Sequence, residues 1–129
     1  MIAGIGIDLV RIERIKRTIE KWGDSFLNRV FTRNELDYSY SHVLPYPHLA
    51  GRFGVKEAFL KAIGTGWGGG IRWTDIEIIR NDNGSPEIKV YGVLKKILSK
   101  KRVKDVLVSI SHERDYAIAQ VILVSDLKR

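Results

Sequence analysis

The first ten residues alternate between apolar side chains and small or polar ones, which is the pattern of a β-strand. One face of this strand carries only apolar residues: Ala3, Ile5, Ile7 and Leu9. The opposite face carries Gly4, Gly6 and Asp8. Because glycine has no side chain, this second face leaves room for another group to approach the backbone closely. The sequence therefore predicts a strand from Ile2 to Val10 with one open face.

Apolar residues recur at helical spacing directly after this strand. They are Ile12, Ile15, Ile19 and Trp22, and the opposite side carries Arg14, Arg17 and Lys21. Gly23 is expected to end the helix. Farther along, Thr32 and Glu35 have the spacing of a capping box, which predicts a short second helix.

A longer helix is predicted from about His48 to Ile63, after Pro45 and Pro47 have interrupted the chain. It leads into residues 64–70, Gly-Thr-Gly-Trp-Gly-Gly-Gly, which are almost all glycine. Glycine-rich backbone can bind phosphate through its N–H groups. Phosphate-binding loops of known type follow a strand, however, so this run is a weak phosphate-binding motif, and a helix C-cap that leads into a connecting loop explains it better.

The remainder of the chain has the pattern of strands joined in pairs. The predicted elements are strands at residues 75–80 and 87–91 with a turn at 81–84, a basic helix at 93–101, and strands at 106–111 and 116–124 with a turn at 112–115. Paired strands of this kind indicate antiparallel pairing. We therefore expect an α+β fold, a mainly antiparallel sheet with a long helix and shorter helices packed against it, in a single domain spanning residues 1–129.

The composition restricts the possible functions. With 22 Lys and Arg against 15 Asp and Glu, the net charge of +7 favours an anionic partner: nucleic acid, a phosphorylated small molecule or an acidic protein. The chain has no cysteine, which excludes disulfides, thiolate metal sites and cysteine nucleophiles. No apolar run approaches the roughly 18 residues of a membrane span, and no basic region precedes the apolar N-terminus. We expect a soluble intracellular protein without a membrane partner.

Two carboxylates lie where apolar residues are expected. Asp8 interrupts the most apolar stretch of the chain, and a helical wheel places Glu57 in the stripe of Phe53 and Leu60, which should face the core. Two plainer interpretations remain open: Asp8 caps the following helix, and Glu57 forms a surface pair with Lys61. Taken together, the two carboxylates beside a glycine-lined strand predict a site for Mg²⁺, which takes one or two carboxylates and fills its other positions with water and phosphate oxygens.

Basic residues follow on the same helix. They are Arg52, Lys56 and Lys61, and His112 lies where a later strand turns. His112 is equally explained as a polar turn residue, and Ser109 and Ser111 as outward-facing strand positions. The residues alone therefore indicate a Mg²⁺ site beside several cations, with a phosphoryl or pyrophosphate substrate.

Three segments are similar to a known family. They are Gly4–Val10, Arg52–Gly66, and Ser109–His112 followed by Tyr116–Ala119; Trp73–Glu77 fits as well. In order, spacing and overall length they resemble the holo-[acyl-carrier-protein] synthases, the small bacterial class of 4′-phosphopantetheinyl transferases. Leu60 and Arg11 depart from the family pattern, and Gly68–Gly70 makes the loop unusually rich in glycine.

The resemblance implies a cytoplasmic, Mg²⁺-dependent homotrimer that has its sites between subunits and supports fatty acid biosynthesis. It would transfer 4′-phosphopantetheine from coenzyme A to a serine of apo acyl carrier protein and release adenosine 3′,5′-bisphosphate. The resemblance places the metal on Asp8 and Glu57 and catalysis on Glu57, Lys61 and His112, with Glu57 or a metal-bound water as the base. It places coenzyme A on Arg52, Lys61, Gly64, Thr65, Gly66 and His112.

The family also docks its strongly acidic carrier protein through the first helix. The docking residues would be Arg14, Arg17 and Lys21, although an ordinary solvated helix face has the same pattern. Two other functions are considered. One is a small basic nucleic-acid-binding module, for which Trp22, Trp67 and Trp73 could provide stacking platforms; the other is a relative that binds coenzyme A or carrier protein without transfer. The buried-looking acids disfavour the first, so we expect no nucleic acid partner, and the intact metal and lysine positions disfavour the second.

Overall fold

The computed structural model describes residues 1–126, and in this range it contains five helices and five strands. The first half consists of β1 (Ile2–Arg11), α1 (Ile12–Trp22), α2 (Asp24–Val30), α3 (Arg33–Tyr40) and α4 (Tyr46–Ile63). A 3₁₀ turn (Trp73–Asp75) then precedes β2 (Ile76–Arg80), β3 (Pro86–Val90), α5 (Gly92–Lys100), β4 (Val103–His112) and β5 (Tyr116–Ser125). Within residues 1–126, no helix has both the length and the apolar character that a membrane crossing needs.

All strand pairs are antiparallel, as predicted, but they form two sheets instead of one. The larger sheet has the order β1-β5-β4, and β2 pairs with β3 alone. The β4–β5 and β2–β3 hairpins are confirmed, with ends that differ from the prediction by up to three residues. The α+β class is therefore confirmed.

Helix α4 occupies the open face of β1. A Cβ atom at Gly4 would overlap the carbonyl oxygen of Ala62, and one at Gly6 would overlap that of Ala58. The space that the sequence predicted beside the two glycines is therefore filled by the protein's own helix. The apolar face of β1, with Ile5, Ile7 and Leu9, is on the outside of the sheet and more than half exposed.

Helix α4 is buried on nearly every side, because it contacts the large sheet and also α1, α3 and β2. The helical-wheel prediction that Glu57 points into the core is therefore wrong. From residue 53 to the end of α4, the more accessible row is Phe53, Glu57 and Lys61, four residues apart, whereas Leu60 is buried. A helix that is covered all round has no apolar stripe, so its wheel cannot show which side faces the core.

Short sequence signals predict part of the helical structure before α4. The capping box is present: the Thr32 hydroxyl accepts from Glu35 N at 3.3 Å, and Thr32 N donates to Glu35 Oε1 at 2.8 Å. Pro47, expected to interrupt the chain, lies in the first turn of α4, where proline is tolerated. Helix α2 was not predicted, because its seven residues bury only Leu27 and Val30 and offer too short a pattern.

Lys56 differs from the other cations of α4 in having no solvent exposure. Its Nζ donates to Glu35 Oε1 at 2.8 Å, to Val30 O at 2.6 Å and to Trp73 O at 3.1 Å. Glu35 Oε2 in turn accepts from Ile78 N at 2.8 Å. Grouping Lys56 with the phosphate-binding cations was therefore wrong, since it joins α2, α3 and β2 to α4 inside the core.

Candidate active site

Asp8, Glu57 and Lys61 line one cavity of about 300 Å³, between β1, α1 and α4. Lys61 Nζ donates to Asp8 Oδ1 at 3.0 Å and to Ile7 O at 3.0 Å. Asp8 does not cap α1, because the N-cap residue is Arg11 and has no side-chain cap bond. The lysine that could have formed a surface pair with Glu57 is bound to Asp8 instead, and the assignment of a metal to Asp8 and Glu57 stays a prediction.

Glu57 is affected by burial and by the other carboxylate of this cavity. Burial raises the pKa of Glu57, and the negative charge of Asp8 raises it further. The Trp67 indole, Lys61 and Arg14 lower the pKa of Glu57 by smaller amounts. A half-buried pair of like charges is a place where a divalent cation would be stabilising.

The donor set fits Mg²⁺ better than zinc. Among residues 1–126 no group of three or more His, Cys, Asp and Glu side chains is arranged to hold a metal. Structural and catalytic zinc sites need at least three such ligands, whereas Mg²⁺ binds through one or two carboxylates together with water and substrate phosphates. Asp8 and Glu57 satisfy the second description.

Arg52 and His112 line a different cavity, of about 290 Å³. Its other polar lining residues are His48, Arg80 and Ser111. The two cavities share no residue, and they lie on opposite faces of α4, since His48 and Arg52 are roughly half a turn away from the row of Glu57. The structure therefore divides the predicted coenzyme A contacts between two places in one chain.

Arg52 is a buried cation, 2% exposed. Its guanidinium lies 4.1 Å from the centre of the Tyr38 ring, Nη1 donates to His48 O at 3.4 Å, and Nε has no acceptor. Burial lowers the pKa of Arg52. No carboxylate among residues 1–126 comes within salt-bridge distance of it, so an anion could still bind there.

Histidines complete this second cavity. The rings of His42 and His48 are stacked with centroids 3.8 Å apart, and His112 meets His48 edge-on at 5.5 Å. Burial first, and then the neighbouring His42 and Arg52, lower the pKa of His48 to about 4, so it is neutral at pH 7. Sequence analysis missed His48 and Arg80, because no local pattern connects α4 with the end of β2.

The glycine loop begins as a helix cap. Gly64 has φ of 85°, and its N–H donates to Leu60 O at 3.0 Å. Gly64, Thr65 and Gly66 are exposed and line neither cavity. The C-cap interpretation is therefore confirmed for Gly64, and the contact of these three residues with coenzyme A stays a prediction.

The basic face of α1 borders the first cavity. Arg14 lines that cavity and also an open groove of about 910 Å³ that contains Arg17. Arg11 and Arg114 add two cations that the sequence analysis did not assign to this surface. Lys21 lies beyond the groove, with its Nζ 5.1 Å from the centre of the Trp22 ring.

The sequence and the fold are those of a known family. The model of the 4′-phosphopantetheinyl transferase superfamily matches residues 4–121. The chain belongs to this superfamily. The family resemblance and the assignment to phosphopantetheinyl transfer are thereby confirmed.

Similar proteins cover nearly the whole chain. A holo-[acyl-carrier-protein] synthase of Thermodesulfovibrio yellowstonii is 48% identical over 123 residues, which are 95% of this chain and 99% of the relative. The crystal structure of a holo-[acyl-carrier-protein] synthase from Neisseria meningitidis, 38% identical, superposes with a TM-score of 0.89 over 97% of this chain and 100% of the other. The crystal structure of a holo-(acyl-carrier-protein) synthase from Bacillus anthracis in complex with CoA (3′,5′-ADP) is 35% identical. It superposes with a TM-score of 0.80 over 98% of this chain and 99% of the other. Within the superfamily, the chain is therefore similar to the holo-[acyl-carrier-protein] synthases.

Proposed function

We propose that this chain transfers the 4′-phosphopantetheine group of coenzyme A to a serine of apo acyl carrier protein and releases adenosine 3′,5′-bisphosphate. The observation that carries this proposal is the cavity in which Asp8, Glu57 and Lys61 meet beside Arg14. It combines two carboxylates for a divalent cation with a lysine for phosphate oxygens, at the edge of a basic surface. A cytoplasmic location and a role in fatty acid biosynthesis are part of the proposal.

Asp8 and Glu57 are the residues that would hold Mg²⁺. Bound there, the ion would coordinate oxygens of the coenzyme A pyrophosphate and offset the charge that develops during transfer. Lys61, now bonded to Asp8 at 3.0 Å, would donate to a phosphate oxygen from the same side. The chain thus supplies both the carboxylates and the cation that phosphoryl transfer requires.

Glu57 is also our candidate for the base that accepts the serine proton. Its carboxylate is half-buried in the cavity, and a carboxylate within hydrogen-bond reach of the attacking hydroxyl can accept its proton. The cavity opens beside Arg14, so a serine on a docked protein could approach Glu57 from the basic surface.

Arg52 and His112 would bind a second anionic part of coenzyme A. Arg52 is buried with a free Nε, and cationic Arg80 lines the same cavity. Coenzyme A carries phosphates at two separate positions, and this chain has cations in two separate cavities. The cavities lie on opposite faces of α4, so one coenzyme A would bind to the carboxylate cavity of one chain and the Arg52 cavity of another.

A homotrimer would bring the two cavities together across subunits. The outer face of the large sheet supports this assembly, because its apolar side chains are exposed side by side in three paired strands. They are Ile5, Ile7, Leu9, Leu107 and Ile118, each at least 38% exposed. An apolar surface of this kind is typical of an interface between subunits. Ser109 and Ser111 lie on the same exposed face, as the sequence analysis expected.

The test is the intact mass of an apo acyl carrier protein incubated with this chain, coenzyme A and Mg²⁺. We expect a gain of one phosphopantetheine group that disappears in EDTA. Asp8→Ala should lower kcat on the order of 100-fold with the fold intact, whereas Asp82→Ala, in an exposed hairpin turn, should leave kcat unchanged. A folded Asp8→Ala variant with normal kcat would contradict the metal assignment, and no mass gain with several carriers would contradict the proposed function.

A further inference from the structure

The ring of Tyr38 is a meeting point of two arginines. Tyr38 lies on α3, and its ring centre is 4.1 Å from the guanidinium carbon of Arg52 on α4 and 5.1 Å from that of Arg80 at the end of β2. Two imidazole rings lie against it as well, His42 at 4.7 Å and His48 at 5.6 Å between ring centroids. Cations from two other elements therefore converge on one aromatic side chain of α3.

The two arginines have no carboxylate partner. Within the described part of the chain, residues 1–126, neither Arg52 nor Arg80 takes part in an ion pair. Arg52 is buried and its Nε has no acceptor. Like charges repel each other, so an arrangement that brings two guanidinium groups to one place needs an opposing attraction. The negative face of the Tyr38 ring supplies such an attraction.

An aromatic partner leaves the charge of the arginines available to a ligand. A carboxylate in the place of Tyr38 would neutralise a guanidinium and compete with any anion, whereas a tyrosine ring is uncharged. Arg52 and Arg80 both line the cavity that also contains His112, and Tyr38 is not among its lining residues. Tyr38 therefore contacts the two cations without contacting a ligand bound in that cavity.

The two cations suit the 3′-phosphate of coenzyme A. Under the proposed function the pyrophosphate binds at the carboxylate cavity, so the anionic group left for the Arg52 cavity is the phosphate on the ribose. A phosphate monoester carries about 1.5 to 2 negative charges near pH 7, which two arginines balance. Arginine binds phosphate through paired N–H donors, so the orientation of each guanidinium matters as well as its charge.

We propose that Tyr38 is a positioning residue, whose ring holds Arg52 and Arg80 toward the 3′-phosphate of coenzyme A. This inference rests on the proposed function of the two cavities. Without the ring, the exposed side chain of Arg80 is free to leave the cavity, and the buried guanidinium of Arg52 loses the aromatic face beside it. Binding of the phosphate then weakens, although Tyr38 never touches it.

Two variants separate the ring from the rest of the side chain. Tyr38→Phe keeps the ring and removes the hydroxyl, whereas Tyr38→Leu removes the ring and keeps an apolar side chain. Tyr40→Leu is the matched control, because Tyr40 lies on the same helix, is 47% exposed and lines neither cavity. Circular dichroism checks that each variant is folded.

The readouts are affinity and turnover. Isothermal titration calorimetry with Mg²⁺ gives the Kd of coenzyme A and of dephospho-coenzyme A, which lacks only the 3′-phosphate. Steady-state kinetics gives kcat and the KM for coenzyme A. A merely structural defect would weaken both ligands, whereas a positioning role concerns only the one that carries the 3′-phosphate.

We expect Tyr38→Leu to weaken coenzyme A binding about tenfold and to raise its KM by a similar factor, with kcat within about twofold of the wild type. The Kd of dephospho-coenzyme A should stay within about twofold, because that ligand has no group for the two arginines. Tyr38→Phe, which restores the ring, and Tyr40→Leu should both behave like the wild type.

Three results would overturn the inference and leave the proposed function standing. They are wild-type affinity for coenzyme A in a folded Tyr38→Leu variant, equal losses for the two ligands, and a Tyr38→Phe variant as weak as Tyr38→Leu. A wild-type chain that binds coenzyme A and transfers nothing would overturn the proposed transfer alone, since calorimetry still decides the role of Tyr38. A wild-type chain that binds neither ligand would overturn both.

Discussion

Lys56 and Glu57 are neighbours in the sequence with opposite surroundings. Lys56 is fully buried and bonded to three oxygens from other parts of the fold, whereas Glu57 is half-buried in an open cavity. Because successive residues of a helix point about 100° apart, the bonds of Lys56 fix the rotation of α4 about its axis. That rotation determines where the carboxylate of Glu57 lies.

Removing the Lys56 ammonium should therefore be severe. In Lys56→Met the carboxylate of Glu35 stays buried without its partner, and we expect the free energy of unfolding to fall by about 3–5 kcal/mol. Urea unfolding followed by circular dichroism measures this change. Lys96→Met, at an exposed position of α5, should stay within about 0.5 kcal/mol of the wild type. Equal stability of the two variants would contradict the role assigned to Lys56.

Single residues were predictable from the sequence where they conflict with their local pattern. Asp8 was singled out in this way, whereas Glu57 was singled out by a wheel that misplaced it, although it does line the same cavity as Asp8. A pattern does not identify partners, so it could not show that Lys56 binds Glu35, or that Lys61 binds Asp8. Such contacts depend on how separate elements pack, and no local spacing contains that information.

At the scale of elements, α1 has a buried apolar face and an exposed basic face. Ile12, Ile15 and Ile19 are buried, whereas Arg14 and Arg17 face the open groove. Exposed charges in such a groove mainly speed the approach of a partner of opposite charge, and salt weakens the effect. Four arginines and two carboxylates, Glu13 and Asp115, line the groove, and this excess of positive charge supports the proposed docking of an acidic carrier protein.

Reversing one charge of α1 tests this assignment. Arg14→Glu should raise the KM for the carrier protein about tenfold at low salt and leave the KM for coenzyme A nearly unchanged. Arg33→Glu makes the same charge change on α3, where Arg33 forms only an exposed pair with Asp37, and should alter neither KM. Steady-state kinetics at two salt concentrations measures both variants, and equal effects of Arg14→Glu on the two substrates would count against docking.

Element prediction succeeded where the signal is short-range. The capping box and the hairpin turns lie within a few residues, and they located α3, the β2–β3 hairpin and the β4–β5 hairpin. The wheel of α4 failed for a physical reason: the helix is enclosed, so apolar residues surround it and the rule that the apolar stripe faces the core does not apply. Division of the strands into two sheets also depends on packing between distant elements.

At the scale of the whole molecule, α4 separates the two cavities. Mutations can therefore test whether one coenzyme A site is formed by cavities of two different chains. Asp8→Ala damages only the carboxylate cavity, and His112→Ala only the Arg52 cavity. If neighbouring chains share each site, a hybrid assembly of these two variants contains an intact pair of cavities. We therefore expect co-expressed Asp8→Ala and His112→Ala chains to transfer more than the sum of the two variants assayed separately.

The control places Ile7→Lys in both chains. Ile7 is 53% exposed on the outer sheet face, so a lysine there should prevent assembly while leaving the core intact. Light scattering should then report monomers, and the recovered activity should disappear. Hybrid assemblies that form but recover nothing would contradict the shared site.

The alternation of β1 leaves that segment little freedom to vary. On the side facing α4, the backbone of that helix leaves no room for a side chain at Gly4 or Gly6, and Asp8 belongs to the candidate metal site. Toward the outside, Ile5 and Ile7 belong to the surface assigned to subunit contact. Successive codons of this strand are thus constrained for two different reasons. One face must pack closely against the backbone of α4, and the other face belongs to the proposed contact with another copy of the chain. Random changes in β1 should therefore be tolerated less often than changes in a strand that has one face in solvent.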